Sequence, residues 1–350
     1  MLSVGLVGLP NAGKSTLFNL LTNRSVPAEN FPFCTIDPNT GIVEVPDDRV
    51  KTLADIFGSQ KLIHAAIEFK DIAGLVKNAA SGAGLGNQFL SHIRECDMIL
   101  LVVRAFEHAD IIHVENRVNP QDDEDILNLE LILSDSKMLE KYMINLDKDA
   151  KKGADKYAGE KFEIAKQITQ TLENNLPARS FEMAKDADPE LVKWRKSLNL
   201  LTDKPILRLG NIIDGGKNVD FKSDLEIDIL QEFELSQLTP EERFEFVGDK
   251  PSALDSLIVS CYKKLGLSTY FTAGPKEARA WTFKTGTKAP QAAAVIHTDF
   301  EHLFIRGEVV KFNDLVELGG IKQAKDAGKA QLVGKDYVVI EGDVCEWILK

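Results

Sequence analysis

Hydrophobic positions along this chain follow two rhythms. Near-continuous apolar runs at Leu2–Val7, Asp97–Arg104 and Pro205–Gly210 read as strands buried on both faces, the habit of a parallel sheet. Ala65–Asp71 alternates apolar and polar residues and reads as a half-exposed edge strand. A helical period follows the first run over Thr16–Leu21. It returns at Ile126, Leu129, Leu133, Leu139, Tyr142, Met143 and Leu146, and again from about Lys156 to Leu176. The second helical stretch opens on Asp122-Asp123-Glu124-Asp125, acidic residues that suit the positive end of a helix dipole. Lys151-Lys152-Gly153 separates it from the third stretch, so the spacing predicts an antiparallel helical hairpin projecting from the sheet.

From Trp281 onward the pattern changes to short strands and turns. Ala292–Ile296 and Tyr337–Ile340 are strand candidates, with a helix near Phe312–Leu315. A chain of 350 residues is long enough for two or three domains with cores of their own. The expected organisation is an α/β domain from 1–118 and 201–278, a helical insertion at 119–200, and a third unit at 279–350. Composition adds bounds. A formal net charge of -12 argues against indiscriminate nucleic-acid binding over the whole surface, though not against a local basic patch. The lysines at the hairpin tip fit either an RNA contact or a solvated turn. No apolar run approaches the length of a membrane span. The chain opens directly on a strand, without a leader pattern, and a cytoplasmic location is expected. The four cysteines, Cys34, Cys96, Cys261 and Cys345, form no C-x-x-C pair and no zinc spacing.

Gly8-Leu9-Pro10-Asn11-Ala12-Gly13-Lys14-Ser15-Thr16 fits G-x-x-x-x-G-K-[ST] between a strand and a helix, the context a phosphate-binding loop requires. Its glycines let backbone N–H groups converge on phosphate oxygens, Lys14 reaches the β- and γ-phosphates, and the Ser15 hydroxyl can ligate Mg²⁺. The loop after the first helix, Asn30–Gly41, offers Thr35 to Mg²⁺ and the γ-phosphate. Asp71-Ile72-Ala73-Gly74-Leu75 ends a strand as D-x-x-G. Asp71 would hold Mg²⁺ through water, and the Gly74 N–H would sense the γ-phosphate. Leu75 stands where Ras and Gα carry a water-orienting Gln, so another residue orients water or intrinsic hydrolysis is slow. The Gly-rich run Ala79–Gly86 reads as a switch loop, with a helix starting near Asn87. His113, alone, is more often structural than functional. Asn211-Ile212-Ile213-Asp214 stands at the place of the GTPase Asn-Lys-x-Asp. It keeps Asn and Asp but not Lys, and base choice stays open.

With Asn30-Phe31-Pro32-Phe33-Cys34-Thr35, Ile111-Ile112-His113-Val114, Thr269-Tyr270-Phe271-Thr272-Ala273-Gly274 and Ala294-Val295-Ile296-His297-Thr298-Asp299-Phe300, the chain resembles the Obg-like ATPase (YchF) family over nearly its whole length. The resemblance implies an α/β P-loop NTPase G domain with a mostly parallel sheet, an inserted α-helical coiled-coil hairpin, and a C-terminal TGS domain of β-grasp type. It implies ATP hydrolysis in preference to GTP, Mg²⁺ held by Ser15, Thr35 and Asp71, and His113 in the water-positioning role. Asn11 matches a residue that helps hold K⁺ in related GTPases. Asn11, Ala12, Gly13, Lys14, Ser15 and Thr16 would hold the phosphates, and Asn211, Ile212 and Asp214 the base. Lys14, His113 and Gly74 would serve the reaction. The implied partner is the ribosome, through its large subunit, with RNA contact by the TGS and helical parts and a monomer as the default state. Cys34 matches a switch-region thiol open to oxidation. Two departures matter. The family usually has Asn-x-x-Glu where this chain ends in Asp214, which can restore a guanine contact. The segment between Asn211 and Thr239 is also short by about one helix, leaving the final base-contacting loop unplaced. The expected function is a slow Mg²⁺-dependent nucleoside triphosphatase switch. A nucleotide-gated binding module with negligible hydrolysis is the alternative, and a metabolic kinase the weakest reading.

Overall fold

The computed structural model describes residues 1–25, 39–72, 84–108, 117–152 and 155–350. In chain order its regular elements are β1 (Ser3–Val7), α1 (Lys14–Thr22), β2 (Thr40–Glu44), α2 (Asp48–Phe57), β3 (Lys61–Ile63), β4 (Ala66–Asp71), α3 (Gly84–Glu95), β5 (Met98–Arg104), α4 (Pro120–Lys152), α5 (Ala158–Glu173) and α6 (Pro189–Ser197). Then come β6 (Ile206–Asn211), β7 (Leu225–Ile227), α7 (Ile229–Ser236), α8 (Pro240–Val247), α9 (Ala253–Lys264), β8 (Leu267–Ala273), β9 (Glu277–Lys284) and α10 (Ala289–Ala294). The chain closes with α11 (Asp299–Leu303), β10 (Phe304–Lys311), α12 (Phe312–Leu318), α13 (Ile321–Asp326), β11 (Gln331–Val333) and β12 (Asp343–Leu349). It divides into two compact units. One comprises Met1–Asn23, Thr35–Gly41 and Phe69–Lys250, the other Arg24–Cys34, Ile42–Glu68 and Pro251–Lys350.

The first sheet has the order β2-β4-β1-β5-β6-β7, with β1 to β5, β5 to β6 and β6 to β7 all parallel. Every residue of β1 and β5 is buried, as the continuous apolar runs require of strands covered on both faces. The strand order reverses at β1, and a loop leaving the carboxyl end of a strand at such a switch point opens into a crevice. The Gly8–Lys14 loop leaves there. β4 lies between β2 and β1, so the edge-strand expectation for Ala65–Asp71 is corrected. The alternation reflects partial cover of one face, while β2 occupies the outer edge. The helix expected near Asn87 begins inside the glycine run, at Gly84.

The helical hairpin forms as its spacing predicts. Leu139 and Leu146 of α4 meet Ala165, Ile168 and Leu172 of α5 in one buried cluster, and the Thr169 hydroxyl donates to the Met143 sulfur at 3.5 Å. Asp135, fully buried on α4, anchors the return of the chain toward β6. Its carboxylate accepts the Leu201 N–H at 3.0 Å and both the N–H and the hydroxyl of Thr202 at 2.8 Å, and pairs with Arg94 at 3.3 Å. A buried carboxylate is tolerated when every oxygen is satisfied in this way.

The second sheet runs β11-β10-β12-β8-β9-β3. β8 and β9 are antiparallel, while β12 lies parallel to β8, the mixed pairing of a β-grasp unit. The sequence expectation opens this unit at 279. The sheet itself takes in β8 from Leu267, because β8 is the antiparallel partner that covers β9. Both strand candidates in this region are corrected. Ala292–Ile296 falls in and just after helix α10, which has Pro290 in its first turn, the position where a missing N–H costs nothing. Alanine is the best helix former, and Ala289, Ala292 and Ala293 turn their small side chains to the core, fully buried. There the Tyr270 hydroxyl reaches the Ala292 carbonyl at 2.9 Å. Tyr337–Ile340 forms only an isolated bridge, Val338 to Lys288. Its main chain bonds the turn before α10 instead of a strand, with Ala289 N–H to Tyr337 O at 2.8 Å and Val339 N–H to Thr287 O at 3.0 Å. Helix α12 covers the expected Phe312–Leu315. Cys96, Cys261 and Cys345 are free thiols buried in the two units, and burial pushes the Cys96 thiol up to about 11.

Candidate nucleotide site

The phosphate end is built almost entirely by local sequence. β1 delivers the chain into a loop in which Asn11 and Gly13 adopt positive φ, 63° and 101°, conformations that Gly takes freely and Asn tolerates. Gly8 lies so close to β5 that a Cβ would stand 2.3 Å from the Val102 carbonyl oxygen, and a Cβ on Gly13 would stand 2.6 Å from Asn211 Nδ2. The loop glycines are therefore required both for conformation and for space. Gly13 is the N-cap of α1 with no side chain bonding the first turn, so the helix presents its first N–H groups and positive end to the loop.

Lys14 folds back over this loop. Its Nζ donates to the Leu9 carbonyl at 2.9 Å, and the residue is only 7% exposed. Burial holds its ammonium below the usual lysine range, with Asp71 acting in the opposite direction. A triphosphate would relieve that cost by placing negative charge beside a desolvated cation. The Ser15 hydroxyl donates to Asp71 Oδ2 at 3.3 Å, bringing the P-loop and the end of β4 together. The other oxygen, Asp71 Oδ1, is buried with no hydrogen-bond partner among the described residues. A hydroxyl and an unsatisfied carboxylate oxygen are the hard donors Mg²⁺ takes, with phosphate and water completing its shell. The residues present thus fit the metal. Among the described residues no group of three or more His, Cys, Asp or Glu forms a metal cage. Thr35, Gly74 and His113, together with Cys34 and Leu75, lie outside the described residues.

The end expected to meet the base is assembled from distant pieces. Asn211, at the end of β6 and 6% exposed, donates from Nδ2 to the Ala12 carbonyl at 3.0 Å and accepts the Ile229 N–H on Oδ1 at 3.3 Å. One amide therefore ties the base loop, the P-loop and the start of α7. Ile212, in the place of the GTPase Lys, packs partly buried against the core of this unit, and its N–H bonds Ile227 O at 3.0 Å. Ile213 exchanges two bonds with the Asn218 amide, both at 2.9 Å. The Asp214 N–H donates to Asp228 Oδ2 at 2.8 Å, while the Asp214 side chain stands in an exposed position. The loop then returns along the segment after β5, with Ala105 N–H to Asn211 O and Val219 N–H to Ala105 O, each 2.8 Å.

The sequence left the last base-contacting loop unplaced, and the structure puts β7 beside β6 with Asn211 opposite Ile227. Residues 212–224 make this crossover without a helix. The connection covers the sheet with the buried Phe221 instead. Asp228 is the residue sequence reasoning missed. The Leu225-Glu226-Ile227 alternation ending in Asp228, an N-cap type, carries a signal for a strand followed by a helix, but the surrounding acidic residues masked it.

The chain is similar to known proteins over nearly its whole length. The family model described as 50S ribosome-binding GTPase matches residues 3–139. The C-terminal YchF GTPase model, described as a protein of unknown function, matches 267–349. The ribosome-binding ATPase YchF of Bacillus subtilis (strain 168) is 47% identical over 362 residues, spanning 98% of each chain. Obg-like ATPase 1 of Pongo abelii is 41% identical over 98% of this chain and 91% of its own. The solved YchF GTPase of Schizosaccharomyces pombe superposes with a TM-score of 0.85 at 37% identity, covering 99% of this chain and 97% of that one.

Proposed function

Because the chain belongs to the YchF, or Obg-like ATPase, family of P-loop proteins, we propose that it is a Mg²⁺-dependent nucleoside triphosphatase that works as a slow switch and associates with the ribosome. The observation that carries this reading is the corner formed by Lys14, Ser15 and Asp71, where a desolvated ammonium, a hydroxyl and an unpartnered carboxylate oxygen converge. Lys14 and the main-chain N–H groups of the loop would grip the β- and γ-phosphates and offset charge that develops as water attacks in line. Ser15 and Asp71 would hold Mg²⁺, which when bound supplies Lewis-acid neutralisation of the phosphate oxygens. Thr35 would join them, the Gly74 N–H would contact the γ-phosphate, and His113 would orient the attacking water in place of the absent Gln. Asn211 and Ile212 would frame the base, and Asp214 would meet its edge. ATP and GTP both remain candidates, because the Asp214 carboxylate is short enough to accept guanine N–H groups.

Leu75 in the Gln position favours one second reading, a nucleotide-gated ribosome-binding module with negligible intrinsic turnover. A paired titration of ATP and GTP with Mg²⁺, followed by phosphate release with and without purified ribosomes, tests both. We expect binding that weakens at least about tenfold when Mg²⁺ is chelated, and turnover that rises with ribosomes. Tight binding with no phosphate release under either condition supports the gated module. Absence of binding defeats both readings.

A further inference from the structure

We propose that Asp228 is the positioning residue that sets base discrimination, by holding the main chain from which Asp214 projects. This rests on the reading of residues 211–214 as the base-recognition loop. The carboxylate of Asp228 is divided between two tasks. Oδ1 accepts the Gln231 N–H at 2.9 Å and so caps α7, while Oδ2 accepts the Asp214 N–H at 2.8 Å. The neighbouring bonds brace the same corner. The Ile212 N–H meets Ile227 O at 3.0 Å, and the Ile229 N–H meets Asn211 Oδ1 at 3.3 Å. Residues 212–224 contain no helix to stiffen the loop from behind, and Gly215 follows Asp214 with φ of 68°. The Ile213 carbonyl, in the same peptide as the Asp214 N–H, accepts from Asn218 Nδ2 at 2.9 Å and the Gly216 N–H at 3.0 Å. The charge-assisted bond at Asp214 N–H is the tie that carries this peptide to the start of α7 and so sets the main chain from which the exposed Asp214 carboxylate projects. Misplacing such a group by a fraction of an ångström costs its hydrogen bonds to a base while leaving the phosphate grip intact.

The two tasks can be separated. In Asp228→Asn, the amide oxygen can still cap α7, but the other position becomes a donor facing the Asp214 N–H. In Asp228→Ser, the hydroxyl caps the helix and no second acceptor remains. The imido analogues of ATP and GTP would be titrated against wild type and both variants, with inorganic triphosphate as a probe of the phosphate end alone. The expected result is that the ratio of the two nucleotide dissociation constants moves toward one by at least about fivefold in both variants. Triphosphate affinity should stay within about twofold of wild type, and the melting temperature within about 3 °C. An unchanged ratio in both variants would show that the carboxylate only caps α7, and would overturn the proposal. So would an equal loss of triphosphate affinity, failure of both variants to fold, or a wild type that separates the two bases by less than about fivefold. Binding of neither nucleotide nor triphosphate by wild type would instead defeat the nucleotide site itself, and the role of Asp228 with it.

Discussion

The phosphate end and the base end of the candidate site are built on opposite plans. At the phosphate end a short stretch carries its own geometry. Positive φ at Asn11 and Gly13, the bare Gly8 and the Lys14 fold-back to Leu9 all lie within one turn of chain. At the base end a local pair, Ile213 with the Asn218 amide, is joined by ties that reach far along the sequence. Asn211 depends on Ala12 and Ile229, and Asp214 depends on Asp228. Any triphosphate has the same phosphates, so the first plan can be a fixed local loop. Base choice depends on a few hydrogen bonds at the far end of the ligand, which long-range contacts can retune without disturbing the phosphate grip.

The largest effect should come from breaking the local plan. Gly13→Ala forces a Cβ into a left-handed position and against Asn211 Nδ2, 2.6 Å away. Affinity for both nucleotides and for inorganic triphosphate should fall at least about 100-fold, measured by calorimetric titration. Equal binding by the variant would show that the loop can adopt another conformation.

Asn211→Ala removes a side chain that bonds both ends, leaving the buried Ala12 carbonyl and Ile229 N–H without their partner. We expect losses of about 10- to 30-fold, similar for ATP and GTP. A loss confined to one base would make Asn211 a reader of the base instead of a tie between the two ends.

Proton linkage at Lys14 sharpens the comparison further. Burial lowers the pKa of Lys14 in the unliganded chain, and phosphate charge raises it on binding. Affinity should therefore be fully present below the unliganded pKa and weaken as pH rises through it, by up to about tenfold per pH unit. Binding in alkaline buffer should take up a proton, detectable as a dependence of the heat on buffer ionisation. Proton release would reverse the assignment.

The smallest effect belongs to the base edge. Asp214→Glu lengthens the carboxylate by one methylene, and the GTP-to-ATP affinity ratio should shift toward ATP by about 5- to 10-fold. Triphosphate binding should not change. A shift toward GTP would mean that the base lies farther from residue 214 than the Asn211 frame suggests.

Legibility in the sequence follows the same division. The P-loop, the buried β1 and β5 and the helical hairpin were readable because each follows from spacing within a few residues of itself. Ala292–Ile296 misled because an apolar run of that length fits a strand or a buried helix, and the core under Tyr270 selected the helix. Ala65–Asp71 misled because alternation reports how a strand's faces are covered, while edge or interior depends on where β2 pairs. Asp228 was unreadable as a site residue, since an acidic residue before a helix is ordinarily a cap and nothing more.

By itself the sequence determined the family, the two fold types and the phosphate-binding loop, and it singled out Ser15 and Asp71, which the structure brings together. Each of these is carried by local φ/ψ freedom, by hydrophobic period, or by a motif whose residues act on one another at short range. Only the tertiary structure decided that β4 is an interior strand with β2 outside it, that β7 closes beside β6 without an intervening helix, and that Asp214 hangs from Asp228. Those outcomes depend on main-chain groups far apart in sequence finding partners in one place, and buried or half-buried backbone must be paired wherever the fold allows it.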